Sequence, residues 1–290
     1  MTDANSGIIE AWNTVLFEKF TRFQHVLTKG LAVHSDELFR REPFPRGARV
    51  LDVGSGFGDT TVQIAGRVGD TGSVTGVDCA DNFTRAAEKN ARDAKVGNAT
   101  FRTADVQSGD LGGPYEEAFS RFGTMFFDLP GAALRNIRRS LVQGGKLTMI
   151  VWRRREDNLW VYEAERRVKE IVPVVSHEDT DQVHCGPGPF SMAGPDMVSD
   201  LLRSAGFRRI GFERFDAEIC IGRTLDEAVA FAMNLGPAGE VIRLAGEEGV
   251  KRTDEILAAL TDVLTGFARK DGSVWAASSV WFVTAQNTSG

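Results

Sequence analysis

A glycine-rich turn after a short apolar run is the segment of this sequence best suited to binding chemistry. Residues 50–59 read VLDVGSGFGD, so the turn follows a run with strand character. Glycines at such a turn let the backbone bend sharply and approach a ligand closely. At the carboxyl end of the first strand of a doubly wound sheet, that ligand is usually a nucleotide-like molecule. The residues that we expect to contact it are Asp52, Gly54, Ser55, Gly56 and Asp59.

The glycine spacing and the neighbouring acids argue against a diphosphate ligand. A dinucleotide site needs G-x-G-x-x-G, whose backbone amides receive a pyrophosphate at a helix amino terminus. Here the spacing is G-x-G-x-G, and Asp59 occupies the place of the third glycine. At ~5 Å, like charges repel by about 3 kcal/mol at an effective dielectric of 20, so Asp52 and Asp59 disfavour a phosphate. The sequence contains no Gly-Lys-Ser/Thr, which excludes a P-loop.

Acids after the next two predicted strands extend the pattern. A strand over 73–77 ends at Asp78, and a strand over 99–103 is followed by Asp105 and Val106. A carboxylate at the first place can accept hydrogen bonds from both hydroxyls of a ribose. At the second place it can accept from an adenine amino group, while Val106 packs on the ring. S-adenosylmethionine (SAM) fits this set, because it has no phosphate and its ammonium and sulfonium groups favour nearby carboxylates.

These segments resemble the first three motifs of class I SAM-dependent methyltransferases. The motifs are LDVGSGFG at 51–58, VD at 77–78 and ADV at 104–106. AFSRFG at 118–123, the Gly-Gly turn at 144–145 and VW at 151–152 resemble a small-molecule branch close to the ubiquinone/menaquinone-type methyltransferases. The resemblance covers roughly residues 45–155 and implies SAM as the cofactor.

The resemblance also implies roles for residues outside the three motifs. The backbones of Ser120 and Arg121 would border the methionyl end of the cofactor, although Arg121 could instead pair structurally with an acid. Cys79 is unusual after the ribose acid, and we expect it to line the adenine pocket. In related enzymes the amino-terminal helices close over SAM, but the apolar spacing over 8–31 also suits ordinary core packing.

The elements that must position these residues alternate regularly in the first half of the chain. Strands and helices follow one another every ~25 residues, which predicts a parallel sheet with right-handed crossovers. We predict an α/β fold with a doubly wound, seven-stranded, mostly parallel sheet, in which a buried strand covers 122–127. The last two strands would form the reversed hairpin that the resemblance implies. We expect a helical lid at 1–45 and a methyltransferase domain at 46–290, with cap insertions around 155–195 and 224–270.

Composition narrows the class of protein. The chain has 290 residues, 42% of them hydrophobic, with a net charge of -6. This content excludes a disordered chain, and the acidic balance disfavours a nucleic-acid partner. No apolar stretch approaches the ~20 residues of a transmembrane helix, and the 3 cysteines form neither a metal pattern nor a disulfide framework. We expect a cytoplasmic protein without membrane insertion or bound metal. The sequence leaves the oligomeric state open, with a homo-oligomer as one alternative.

Few side chains could assist methyl transfer. Holding a nucleophile and a methyl group in line at ~3–3.5 Å is worth up to roughly 7–11 kcal/mol, so a base is needed only if the acceptor must lose a proton. The first candidate base is His184, in a Gly/Pro-rich loop, followed by His34. Further candidates are Tyr115, Tyr162 and Asp128, and each candidate also suits a structural or solvated role. We expect a small, largely apolar acceptor of the methyl group at carbon, oxygen or nitrogen. A SAM-binding protein without catalysis and an NAD-dependent oxidoreductase are the alternatives, and Asp59 disfavours the second.

Overall fold

The structure, a computed structural model, describes residues 5–172 and 188–288 as a sheet flanked by helices. The strands are β1 (Arg49–Val53), β2 (Ser73–Asp78), β3 (Ala99–Thr103), β4 (Tyr115–Arg121), β5 (Leu141–Trp152), β6 (Arg208–Gly222) and β7 (Val274–Gln286). The α-helices are α1 (Ser6–Ala11), α2 (Phe17–Arg22), α3 (Ala32–Arg41), α4 (Asp59–Val68), α5 (Asp81–Asp93), α6 (Pro130–Ser140), α7 (Leu159–Ile171), α8 (Pro195–Ser204), α9 (Leu225–Asn234), α10 (Gly236–Ala245), α11 (Glu247–Lys251) and α12 (Thr253–Thr265).

The strands form one sheet in the order β3-β2-β1-β4-β5-β7-β6. The first five strands in this order run parallel, and β7 is antiparallel to both of its neighbours. This confirms the predicted α/β class and the reversed hairpin at the end of the chain. The carboxyl ends of β1, β2, β3 and β4 therefore meet at one edge of the sheet, which we call the carboxyl edge.

The segment after β4 is not the buried strand that we predicted over 122–127. Phe122 has a φ of +60°, outside the extended region, and a 3₁₀ turn follows at Thr124–Phe126. The ring of Phe122 stacks on Trp152 with 4.6 Å between centroids. Thr124 and Met125 are buried and the phenylalanines of the run are partly buried, but the backbone turns at the carboxyl edge instead of continuing as a strand.

The amino-terminal segment is helical, as its apolar spacing predicted. Two π-helical turns, Trp12–Leu16 and Val26–Gly30, follow α1 and precede α3. Such turns shift the register of side chains and occur frequently at functional sites. Residues of this segment pack both near the carboxyl edge and on the second half of the chain.

The β6–β7 hairpin extends beyond the sheet and supports a group of helices. β7 pairs with β5 over residues 280–286, and its earlier residues continue the pairing with β6. Helices α7, α9, α10 and α12 pack together on this extension and share an apolar core with the amino-terminal segment. They occupy parts of the predicted cap insertions; the division into domains stays a prediction. No helix within the described ranges is long and apolar enough to cross a bilayer.

Candidate cofactor and active site

Backbone contacts hold the glycine turn between three strands. The amides of Gly54 and Ser55 both donate to the carbonyl of Val77, at 2.8 and 3.1 Å. A Cβ atom built on Gly54 would lie 3.0 Å from the Cα of Gly123, so the turns after β1 and β4 touch. The Cβ of Ser55 lies against Gly76 of β2. The position of this turn is therefore fixed by β1, β2 and the end of β4.

Gly56 leaves the turn open on one side. Its φ is +52°, and a Cβ atom built on it would meet no atom within 4 Å. Gly58 differs, because a Cβ there would lie 2.8 Å from the side chain of Ala87. A side chain at position 56 would be strained and would fill the open space. The turn therefore forms a cradle in which a ligand can approach the backbone at Gly56.

Asp52 brings a buried carboxylate to the end of β1. Its Oδ2 accepts hydrogen bonds from the hydroxyls of Thr60 and Thr61, at 2.8 and 2.7 Å. Its Oδ1 is buried and has no hydrogen-bond partner in the described part of the chain. Burial raises the pKa of Asp52 to about 6, although both threonine hydrogen bonds act to lower it. A cationic group beside Oδ1 would favour the charged form of this acid.

Arg121 forms an ion pair with Asp59 across the ends of β4 and α4. Its Nη2 lies 2.6 Å from Asp59 Oδ2, and its Nη1 donates to the hydroxyl of Ser35 at 3.2 Å. The Arg121 side chain is only 8% exposed. This is the structural pairing that the sequence left open for Arg121. Because Asp59 neutralises Arg121, this guanidinium is not available to bind a phosphate group.

Asp78 is held by backbone amides at the end of β2. Its Oδ2 accepts from the amide of Gly56, and its Oδ1 accepts from the amide of Ala80, both at 3.0 Å. Burial raises the pKa of this carboxyl, and the two amides partly offset that effect. The acid therefore joins the cradle to the end of β2 with a fixed orientation. Each oxygen keeps a further lone pair for a ligand donor.

Asp105 and Cys79 lie close together near the ends of β2 and β3. Asp105 caps the next turn, since its Oδ1 accepts from the amide of Gln107 at 2.9 Å. Burial, followed by the charges of Asp78 and Asp105, raises the pKa of the Cys79 thiol to about 12. Val106 is buried in the core cluster beside α6. The structure thus brings together the three residues that the sequence predicts for the adenine side of the site, and that role stays a prediction.

The amino-terminal helices contact the cradle directly. Phe17 packs on Phe57 of the turn and on Phe83 of α5, with ring centroids 6.2 and 5.0 Å apart. The amide of Asn82 donates to Asn13 Oδ1 at 3.1 Å, and Asn82 Nδ2 donates to the Asn13 carbonyl at 2.6 Å. Apolar packing and two hydrogen bonds thus attach this segment to the turns after β1 and β2.

The structure describes one of the two histidines that we consider as bases. His34 is fully buried, with Nδ1 3.1 Å from the Leu31 carbonyl and Nε2 2.6 Å from the Ser278 hydroxyl. Burial lowers the pKa of His34 to about 4, which keeps the ring neutral at pH 7. Both nitrogens therefore have protein partners. His184 lies outside the described residues.

Other residues of the site carry structural roles that the sequence did not reveal. Ser120 is buried, and its hydroxyl donates to the Val53 carbonyl at 2.8 Å, which joins β4 to β1. Thr60 and Thr61 were missed, although two threonines directly after Asp59 were a signal that they could bond an acid at the strand end. Gly123 was missed as well, because its contact with the glycine turn joins distant parts of the chain.

The donors and acceptors at the carboxyl edge fit SAM. Three carboxylates lie at the carboxyl ends of adjacent strands, and the turn after β1 is open at Gly56. One buried carboxylate oxygen, Asp52 Oδ1, has no hydrogen-bond partner among the described residues. A diphosphate would meet these acids, while Arg121 is already paired with Asp59. An adenosine with a cationic amino-acid end satisfies the same groups.

Comparisons with known proteins support the methyltransferase class. Residues 50–145 match the family described as "Methyltransferase domain". The ubiquinone/menaquinone biosynthesis C-methyltransferase of Shewanella halifaxensis is 24% identical over 176 residues, covering 57% of this chain and 68% of the relative. Nocamycin O-methyltransferase of Saccharothrix syringae is 29% identical over 191 residues, covering 61% of this chain and 65% of the relative.

A solved structure shows the same fold. Phosphoethanolamine N-methyltransferase 2 of Haemonchus contortus, in complex with SAM, superposes with a TM-score of 0.57 at 15% identity. The match covers 97% of this chain and 60% of that one. The match over residues 50–145 and the fold around it define a class I methyltransferase domain. This domain is that of a SAM-dependent methyltransferase, and SAM is its cofactor.

Proposed function

We propose that this enzyme transfers a methyl group to a small, largely apolar acceptor at carbon, oxygen or nitrogen. The observation that carries the proposal is the set of acids Asp52, Asp78 and Asp105 at the carboxyl ends of three adjacent strands, where Asp78 also bonds the amide of the open turn at Gly56. The two relatives bear the names of a C- and an O-methyltransferase of small molecules, which supports this class of acceptor and leaves the acceptor atom open.

Each group of the cofactor has a proposed partner. Asp78 would accept from the ribose hydroxyls, and Asp105 would accept from the adenine amino group beside Cys79 and Val106. The free Oδ1 of Asp52 would face the ammonium group of the methionyl part. The remaining contacts would come from the backbones of Gly54, Ser55, Gly56, Ser120 and Arg121, with Asp59 holding Arg121. Bound SAM supplies an electrophilic methyl group on a sulfonium.

Aromatic residues would form the acceptor side of the site. Phe122 and Trp152 stack at the junction of the sheet core and the helical cap core, and both are partly buried. Trp160 stacks on Phe231 in the cap, and its Nε1 is buried with no partner within residues 5–172 and 188–288. A buried donor without a partner costs about 1–3 kcal/mol, so an acceptor bearing an oxygen would gain by reaching it. Apolar walls of this kind exclude water and orient the reactants, which is the main catalytic effect that we propose.

A general base is the least determined part of the proposal. His34 would need to exchange a partner to take a proton, and burial beside Arg121 disfavours its charged form. We therefore expect His34→Gln to change stability more than turnover. His184→Ala should lower turnover if that residue is the base, and full activity of the variant would remove it from consideration.

Calorimetry with SAM and NADH tests the cofactor assignment. We expect micromolar or tighter binding of SAM and no binding of NADH, and the opposite result would favour an oxidoreductase. Transfer of label from [methyl-14C]SAM to small molecules of a cell extract would then test catalysis. Tight SAM binding without any labelled product would favour a SAM-binding protein that has lost its chemistry.

A further inference from the structure

Asn5 reaches from the amino-terminal segment to the adenine side of the site. Its Nδ2 donates to Asp105 Oδ2 at 3.2 Å, across 100 positions of sequence. Asn5 also occupies the position before the first residue of α1, where an asparagine usually caps the helix with its side chain. Here the side chain makes no such hydrogen bond. The carboxamide therefore forms a hydrogen bond with Asp105 instead of capping α1.

The Oδ1 of Asn5 is buried and has no hydrogen-bond partner among the residues that the structure describes. Because both polar atoms of a carboxamide are attached to one carbon, this oxygen lies beside the carboxylate that Nδ2 contacts. The two shortest hydrogen bonds to Asp105 come from the Gln107 amide at 2.9 Å, to Oδ1, and from Asn5 at 3.2 Å, to Oδ2. Gln107 Nε2 and the Ser108 hydroxyl make only long contacts of 3.4 and 3.5 Å, which a ligand donor could replace. Two neighbouring acceptor groups could thus receive the two N–H donors of one ligand group. A primary amino group meets that requirement, and an oxo group does not.

Contacts farther along the segment hold Asn5 at this place. Trp12 packs edge-on against Phe83 and Phe126, with ring centroids 6.3 and 5.1 Å apart. The hydrogen bonds between Asn13 and Asn82 attach the next residue to the start of α5. The segment is thus fixed to the body of the enzyme within eight positions of Asn5.

We propose that Asn5 and Asp105 together recognise the exocyclic amino group of the adenine ring. The inference rests on the proposed assignment of Asp105 to adenine, and it makes the amino-terminal segment a determinant of cofactor choice. One amino hydrogen would go to Asp105 and the other to Asn5 Oδ1. An inosine base would instead bring an oxygen against both acceptors. Asn5 is a positioning residue for the base and has no part in the transfer step.

Calorimetric titration with S-adenosylhomocysteine and S-inosylhomocysteine tests this proposal. The wild-type protein should prefer the adenine compound, and Asn5→Ala should reduce the ratio of the two dissociation constants about tenfold, the effect of one unmade buried hydrogen bond. Asn13→Ala is the matched control, because it loosens the same segment without removing an acceptor from the base. It should weaken both compounds equally and leave their ratio unchanged.

Three results would overturn the inference. An unchanged ratio of the two dissociation constants in Asn5→Ala would mean that this side chain does not distinguish adenine from hypoxanthine. Tighter binding of S-adenosylhomocysteine by Asn5→Ala would mean that the asparagine occupies the place of the amino group. Failure of the wild-type protein to bind S-adenosylhomocysteine would refute the cofactor assignment as well, which separates the two failures.

Discussion

The substitution Asp52→Asn probes the electrostatics of the cradle. Asp52 is 1% exposed, two threonine hydroxyls bond one of its oxygens, and the other oxygen has no protein partner. The charged carboxylate is therefore poorly solvated in the absence of a cation. Asparagine has the same shape and no charge, so the substitution removes this titration with little change of packing.

The structure gives the sign and the size of the effect of Asp52 on the free energy of unfolding. The pKa of Asp52 is about 6 in the folded protein, against an ordinary value of 3.8. Between these values the folded protein binds more protons than the unfolded chain, so this group makes the protein less stable as the pH rises. Between pH 5 and pH 8 the loss is about 1.4 kcal/mol. The asparagine variant lacks this loss, so its stability relative to wild type should improve by that amount over the same range.

Urea unfolding at pH 5, 6, 7 and 8 and constant ionic strength measures this difference. Asp93→Asn is the control, because Asp93 is exposed and pairs with Lys89 on the surface of α5. A wild-type minus Asp52→Asn difference that does not vary with pH would refute the reasoning. SAM binding supplies a second readout, since its ammonium group favours the charged acid. Affinity for SAM should rise from pH 5 to pH 8 in the wild type, and this dependence should be weaker in the variant.

Three further predictions concern the neighbouring residues. Asp78→Asn should weaken SAM binding by about ten- to a hundredfold in calorimetry, because charge-assisted hydrogen bonds are worth about 1.5–3 kcal/mol; unchanged affinity would count against the ribose assignment. Asp59→Asn leaves Arg121 without its carboxylate and should lower the free energy of unfolding by about 2 kcal/mol, less than for a fully buried pair because Asp59 is 28% exposed. A change near zero would contradict a role for that pair. Cys79 should resist iodoacetamide at pH 8, because its thiol pKa is about 12; rapid labelling located by mass spectrometry would contradict that pKa.

Much of the cofactor-binding side of the site could be predicted, because short sequence segments specify the residues that form it. The glycine turn requires positive φ angles at positions 54, 56 and 58, and only glycine adopts these without strain. The acids after β1, β2 and β3 follow strands whose alternation with helices fixes a parallel sheet. Parallel strands bring their carboxyl ends to one edge, so the sequence alone predicts Asp52, Asp78 and Asp105 at one site.

The acceptor side could not be predicted in the same way. Phe122 was assigned to a strand because a run of apolar residues does not reveal that its backbone turns with a positive φ. The ring then stacks on Trp152, and Trp160 meets Phe231 across helices that are far apart in the chain. Such contacts depend on the packing of the cap, for which the sequence carries no local pattern.

The sequence by itself determined the fold class, the turn that approaches the cofactor and the acids at the strand ends. These features depend on backbone geometry and on the period of short segments, both of which are properties of neighbouring residues. The tertiary structure alone decided that Arg121 pairs with Asp59, that His34 is enclosed with both nitrogens bonded, and that Asn5 meets Asp105. Each of these outcomes depends on which distant side chain arrives at a given place, and that is set by the packing of whole elements.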